Sequence, residues 1–212
     1  MGKKVIGLLG SSLSDGNTAK LLERALKGAE DAGCKVEKIE VASLDFQACM
    51  EMLFCKDHDT CIMDDDMQQL YPKFKEMDGL ILATPVMTMG IPGKLKSMID
   101  RFQVFFIAKY LRKNSFIVKE RRAERKGLFI CISGMKIPEV FVGVKRTIRA
   151  FFDIIDCQYT DSCSSVIWTQ FVMLQLIRTC SKQRTRRDIC SANRMPQKDS
   201  DYDPVLPETL SY

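Results

Sequence analysis

Cys49, Cys55 and Cys61 fall in one short segment, followed at once by Asp64-Asp65-Asp66-Met67. Three thiols this close, with no secretory signal ahead of them, point to metal or redox chemistry rather than to a disulfide framework. A Cys-x2-Cys-x2-Cys-x5-Cys run would need a thiol at position 52, and the chain has Met52 there. A cubane iron–sulfur cluster takes four thiolates, and thioether sulfur is a poor substitute. His58, the one histidine of the chain, could replace the missing thiolate, or could complete a three-cysteine zinc site. Three thiolates with one open iron site, and three reduced thiols that bind nothing, are the other arrangements. The acidic string suits a local role, capping the amphipathic stretch from Met67 to Met77, better than it suits a hard metal.

A second group of residues sits in three loops. Gly10-Ser11-Ser12-Leu13-Ser14-Asp15-Gly16-Asn17-Thr18 joins an apolar run to a helical pattern. Glycines, small hydroxyls and a helix N-terminus together suit an anion, because backbone N–H groups and the helix dipole meet its charge. Neither the Walker pattern nor Gly-x-Gly-x-x-Gly is present. No Lys or Arg lies inside the loop, which fits a monophosphate held by neutral donors; a plain strand-to-helix turn with an Asn or Ser cap is the other reading. Thr84-Pro85-Val86-Met87-Thr88-Met89-Gly90-Ile91-Pro92-Gly93 is stiffened by its prolines, and its glycines let backbone approach a flat ligand. Ser133-Gly134-Met135-Lys136 is the third.

The elements that must position these loops alternate. Val5 to Leu9 is continuously apolar, as in a strand covered on both faces, and is too short for a signal core. Asn17 to Ala32 carries Leu21, Leu22, Ala25, Leu26 and Ala29 at helical spacing, with Gly33 as its stop. Val36 to Val41 alternates, and Asp78 to Ala83 and Gly127 to Ser133 are two further strands. Gly93 to Phe105 predicts a helix with Leu95, Met98, Ile99 and Phe102 inward. Glu139 to Ile155 predicts another through Val140, Val144, Ile148, Phe151, Phe152 and Ile155. This order implies right-handed crossovers and a doubly wound parallel sheet, a three-layer α/β/α architecture. Ligands of such sheets bind beyond the carboxyl ends of the strands, where all three loops lie.

These residues carry a resemblance. Gly10-Ser11 with Gly16-Asn17-Thr18 resembles the phosphate loop of the NAD(P)H-dependent FMN reductases of flavodoxin-like fold. Thr84-Pro85-Val86 through Lys96, Ile99, Asp100 and Arg101 resembles their Ser/Thr-Pro-Val-Tyr…Lys…Ile-Asp-Arg segment. The cysteine segment before Asp65-Asp66-Met67 is similar to the compact four-cysteine run of the iron–sulfur flavoprotein branch. The resemblance spans about residues 3–161. It implies that Ser11, Ser12, Ser14, Asn17 and Thr18 bind the FMN phosphate and ribityl chain. Thr84, Pro85, Val86, Met87 and Gly90 would line the isoalloxazine, and Ser133 and Gly134 would close its other side. Met87 departs from the usual Tyr. Cys49, Cys55 and Cys61 become candidate ligands of a four-iron four-sulfur cluster. Asp100 and Arg101 are expected in a structural ion pair or subunit contact. The implied activity is FMN-dependent hydride transfer from NAD(P)H to a flavin, quinone or other small acceptor, with no side chain as obligatory acid or base. Electron exchange with ferredoxin through a cluster is the alternative, and a degenerate flavin-binding protein without turnover is the non-enzyme reading. Relatives of this kind assemble, so a homodimer or homotetramer is expected.

The remaining features set bounds. At 212 residues, 46% hydrophobic and 28% charged, the chain suits one globular domain. No apolar run approaches the ~20 residues of a spanning helix. Nine cysteines without an export signal point to a reducing cytoplasm. The net charge of +5 is concentrated in Lys119 to Lys126 and Cys180 to Arg194. Neither run interleaves aromatics on a recognisable nucleic-acid module, so both suit solvated surfaces rather than nucleic acid. The expected division is a flavodoxin-like domain over 1–161, with the cysteine insertion at about 47–66, and an atypical tail over 162–212. The tail lacks core periodicity, and a reading-frame shift near residue 161 accounts for it: one nucleotide earlier, the Trp168-Thr169 junction encodes aspartate.

Overall fold

The computed structural model describes residues 2–166. The basic run after Cys180 and most of the expected tail lie outside them. The strands are β1 (Lys4–Leu9), β2 (Lys35–Glu40), β3 (Gly79–Pro85), β4 (Lys126–Ser133) and β5 (Gln158–Val166). All pair in parallel, in the order β2-β1-β3-β4-β5. The direction of winding reverses between β1 and β3, so the strand order itself marks the crevice where a ligand belongs. This is the flavodoxin-like sheet that the sequence implies.

Alternation along the strands builds two cores. Ile6, Leu8, Leu80, Leu82 and Phe129 face one side with α2 (Met67–Glu76), α3 (Gly93–Arg101) and α6 (Val142–Ile154). Val5, Leu9, Ile81, Ala83 and Ile130 face the other, against α1 (Asn17–Asp31). Leu128 and Ile132, on the α1 side of β4, are only partly buried. Every inward residue expected on the two longest helices is buried, from Leu21 to Ala29 and from Val140 to Ile155. Gly33 takes φ +88°, the left-handed turn that ends α1 at little steric cost.

Four local departures stand out. The strand expected to stop at Ala83 continues through Pro85, which pairs with Ile132. Val86 donates to Ile132 O at 2.8 Å, so the imide of Pro85 faces the other neighbour, where β1 has already ended at Leu9. The helix expected over 93–105 breaks at Phe102 into α3 and the short α4 (Gln103–Phe106), followed by a π turn over Ile107–Leu111. The break lets Phe102 sit edge-on to Phe74 (4.6 Å) and Phe151 (5.1 Å) in the larger core. β5 runs five residues past the boundary expected at 161.

The fourth departure is Arg125. Its run, which includes α5 (Lys119–Arg122), is otherwise exposed or half-buried, as expected of a solvated face. Arg125 is 1% exposed and donates to the carbonyls of Phe74, Met77, Ile155 and Asp156, and more weakly to that of Lys75. These carbonyls belong to the last turn of α2 and to the residues just past the ends of α2 and α6, where no intrahelical partner remains. One planar guanidinium therefore closes two helix C-termini beneath the sheet, a role that its position in a basic string conceals.

Candidate functional site

The three loops meet at the carboxyl edge of the sheet. Gly10 N–H donates to Ala83 O at 2.8 Å, fixing the end of β1 against β3. A Cβ at Gly10 would lie 2.5 Å from Leu95 and 3.1 Å from the Thr84 hydroxyl, so a larger residue would have to displace the Leu95 side chain where these loops meet. The Val86–Ile132 bond fixes the end of β3 against β4 in the same way. Adjacent parallel strands stand about 4.8 Å apart, so the loops after β1 and β4 flank the β3 loop over roughly 10 Å, a span suited to a flat tricyclic ring.

In the first loop, α1 starts after Gly16 with no side-chain cap and no acidic residue in its first turn. The first N–H groups of this helix are therefore unclaimed among the described residues and point into the loop. Ser12, Ser14 and Asn17 are exposed around them. Ser11 is buried, and its hydroxyl accepts from Leu13 N at 3.2 Å, which shapes the loop. Thr18 is also buried under the loop. Of the five residues expected to bind phosphate and ribityl, three face outward and two support them.

In the second loop Thr84 is wholly buried and its hydroxyl donates to Pro85 O at 3.1 Å. It stiffens the strand end instead of lining a ring. Pro85, Val86 and Gly90 are half-buried and Met87 is exposed. Met87 and Gly90 exchange two backbone hydrogen bonds of 2.9 Å across Thr88 (φ 47°) and Met89 (φ 63°). A two-residue turn with both central residues left-handed normally carries Asn-Gly; Thr and Met here store strain of about 1 kcal/mol or more each. The sequence gives no hint of this turn. In the third loop Ser133 is buried, with its hydroxyl accepting from Met135 N at 3.0 Å, while Gly134 is exposed. Two clefts of about 230 and 260 Å³ lie at the opposite, amino end of the sheet and touch none of these loops.

The cysteine segment packs beside the larger core. Cys55 is buried in the larger core, and Cys49 and Cys61 are half-buried. Burial pushes the Cys55 thiol up, and the neighbouring Cys61 and Cys49 add to the effect. Asp65 receives both Arg101 terminal nitrogens, at 2.5 and 3.0 Å, and Arg101 also donates to Gln47 O at 2.8 Å. Burial disfavours the Arg101 charge, but the Asp65 carboxylate outweighs it and holds the guanidinium above its ordinary range. Asp65 accepts from Met67 N as well, so it caps α2; Asp66 instead accepts from Asp45 N at 2.6 Å. Asp100 pairs with Lys96. Arg101 thus belongs to a structural ion pair, although with Asp65 and not with its neighbour Asp100.

The fold, the three loops and this segment bear comparison with known proteins. Residues 3–134 match the NADPH-dependent FMN reductase family. The chain belongs to this family. An iron–sulfur flavoprotein of Methanosarcina thermophila is 30% identical over 150 residues, 71% of each chain. An iron–sulfur flavoprotein of Methanocaldococcus jannaschii is 36% identical over 109 residues, 51% of this chain and 56% of that one. The chain thus spans little more than half the length of the second relative. Among solved structures, an NAD(P)H:quinone oxidoreductase from Methanothermobacter marburgensis superposes with a TM-score of 0.63 at 13% identity, covering 88% of this chain and 96% of the other. An FMN-dependent NADH-azoreductase from Bacillus anthracis in complex with FMN gives a TM-score of 0.58 at 13% identity, covering 86% and 97%. At such identities the structural likeness establishes the flavodoxin-like fold.

Two groups are implied by these relations. FMN fits the residues present: unclaimed helix N–H groups, exposed Ser12, Ser14 and Asn17, and an open edge flanked by the β3 and β4 loops. A four-iron cluster does not fit. The segment offers three thiols, and Met52 at the fourth position is 51% exposed. His58 is turned into its own loop, stacked on Phe54 at 3.7 Å with Nδ1 bonded to Phe54 O. Among the described residues no three His, Cys, Asp or Glu side chains converge on a metal position.

Proposed function

We propose that the chain is an FMN-dependent oxidoreductase that draws a hydride from NAD(P)H and delivers reducing equivalents to a small acceptor such as a quinone or free flavin. The observation that carries this reading is the uncapped start of α1, set at the point where the sheet reverses its winding. The N–H groups of its first turn, with Ser12, Ser14 and Asn17, hold the phosphate and ribityl chain. Ser11 and Thr18 act beneath them by shaping the loop. Pro85, Val86, Met87 and Gly90 present backbone and apolar surface to one side of the ring, over the rigid base that Thr84 supplies. Gly134 borders its other side, oriented by Ser133. FMN supplies the hydride-accepting N5 and therefore the redox chemistry; the chain supplies anchoring, orientation and tuning. No side chain acts as an acid or base.

A homodimer or homotetramer belongs to this proposal, supported by the exposed apolar side chains Met87, Met89, Met135, Ile137 and Val142 around the site. So does a cytoplasmic location; no described helix is long and apolar enough to cross a membrane. Exchange with ferredoxin through a cluster requires a donor set that the segment lacks. Anaerobic titration of the FMN-loaded chain with NADH and NADPH tests the activity. Bleaching of the flavin absorption by either, and its return on adding a quinone, is expected. A chain that binds FMN but resists both donors leaves the non-enzyme reading, and one that takes up no FMN sinks the proposal.

A further inference from the structure

The relatives of this chain carry iron–sulfur in their names, yet its cysteine segment is cross-linked by other means. Arg101, with its side chain wholly buried, ties Gln47 at one end of the segment to Asp65 at the other. Gln68 reaches from α2 to the carbonyls of Cys61 (2.6 Å) and Met63 (2.7 Å), and its own carbonyl accepts from the Thr60 hydroxyl. Lys75 donates to Asp59 O, and Arg112 stands 2.6 Å from the Asp59 carboxylate. Asp66 secures the backbone at Asp45. The middle of the segment is held by Cys55, which packs in the larger core as a small apolar side chain. Together these contacts do what a metal does in a small loop, joining residues distant along the chain, and those of Gln68, Lys75 and Arg101 also satisfy backbone carbonyls of the loop.

Position 52 stands apart from this network. Met52 is exposed, and its neighbours Glu51 (φ 51°) and Leu53 (φ 54°) both take left-handed backbone. Two such residues flanking one position turn the chain sharply there, a conformation that costs about 1 kcal/mol or more at each. That turn presents residue 52 to solvent, and a cluster would need a thiolate there as its partner. The partner chemistry is absent from Met52, because a thioether carries no charge to neutralise iron.

We infer that the segment from Cys49 to Cys61 is a metal-free arch in this protein, held by the Arg101–Asp65–Gln68 clasp, and that the missing thiolate at position 52 is what keeps the segment from closing around a cluster. The arch is independent of FMN. The full chain is therefore reconstituted anaerobically with ferrous iron and sulfide, as wild type, Met52→Cys and His58→Ala, and iron, acid-labile sulfide and FMN are measured separately. Wild type and His58→Ala are expected to retain less than about one iron per chain and to lack the broad absorption near ~420 nm, whereas Met52→Cys takes up about four irons and acquires it. Melting of the wild type is unchanged by a strong chelator. About four irons on the wild-type chain, or a melting temperature that falls with chelation, overturns the metal-free arch; loss of that iron in His58→Ala then identifies the histidine as the fourth ligand. An iron-free Met52→Cys chain that still melts cooperatively overturns the assignment to position 52. Failure to bind FMN alters none of these iron counts and bears only on the proposed activity.

Discussion

Removing the Asp65 carboxylate isolates a buried charge, and the cost can be worked from its surroundings. The Arg101 side chain is wholly inaccessible, and Asp65 is 14% exposed. Asp65→Ala deletes two of the three hydrogen bonds that the Arg101 guanidinium makes among the described residues and leaves it the Gln47 carbonyl. Guanidinium does not shed its proton at neutral pH, so the group must stay charged in place, admit water or swing out. Breaking a buried pair from one side costs about 3–5 kcal/mol. The partial exposure of Asp65 favours the lower end, and losing the cap on Met67 N adds about 1 kcal/mol. A loss of about 4 kcal/mol corresponds to a fall in melting temperature of roughly 8–16 °C for a domain of this size. The assay is thermal and urea unfolding followed by circular dichroism, with Asp65→Leu/Arg101→Met as the companion variant. Because an apolar pair of similar volume removes the stranded charge, the double variant should recover at least half of the loss. An Asp65→Ala melt within about 2 °C of wild type, or a double variant as unstable as the single one, refutes the reasoning.

Three further outcomes are expected. Thr88→Asn with Met89→Gly places the residues preferred by left-handed turns where φ is 47° and 63°, and should raise stability by about 1 kcal/mol in urea unfolding. Burial pushes the thiols of Cys131 and Cys157 up to about 12 from an ordinary 9.0. The folded chain keeps these protons where the unfolded chain has lost them, so their contribution is fully present below pH 9 and falls by about 1.4 kcal/mol per pH unit per thiol as pH rises toward 12. Urea midpoints at pH 8 to 11 check this, and Cys131→Ala/Cys157→Ala should flatten the decline. Ser12→Asp sets a negative charge among the α1 N–H groups and should weaken FMN binding about fivefold in a fluorescence titration, with the melt of the FMN-free chain not lowered because Ser12 is exposed and the charge suits the helix N-terminus.

Much of this architecture is legible in the sequence because periodicity reports burial directly. Leu21 to Ala29 on α1 and Val144 to Phe152 on α6 recur at helical spacing, and all of them are core. Parallel strands read as short apolar runs for the same reason. Features set by tertiary contacts are not legible. Phe102 continues a helical pattern, but its ring must turn between Phe74 and Phe151, and the helix breaks there. Arg125 looks like one of several surface cations, and only the meeting of two helix ends makes it a cap. The loops show the same division. Gly10, Gly16 and the hydroxyl residues mark the anion loop in sequence, but the inward turn of Ser11, Thr18 and Thr84 depends on what packs beneath them. The partner of Arg101 lies 36 residues away along the chain, where no local pattern reveals it.

The central claim is that the uncapped start of α1 holds the phosphate of a flavin cofactor. Parallel titrations of the purified chain with FMN and with riboflavin, which differ only in that phosphate, test it most directly. The account predicts one FMN per chain and riboflavin binding weaker by at least about tenfold, or 1.4 kcal/mol; equal affinity for the two, or uptake of neither, would contradict it.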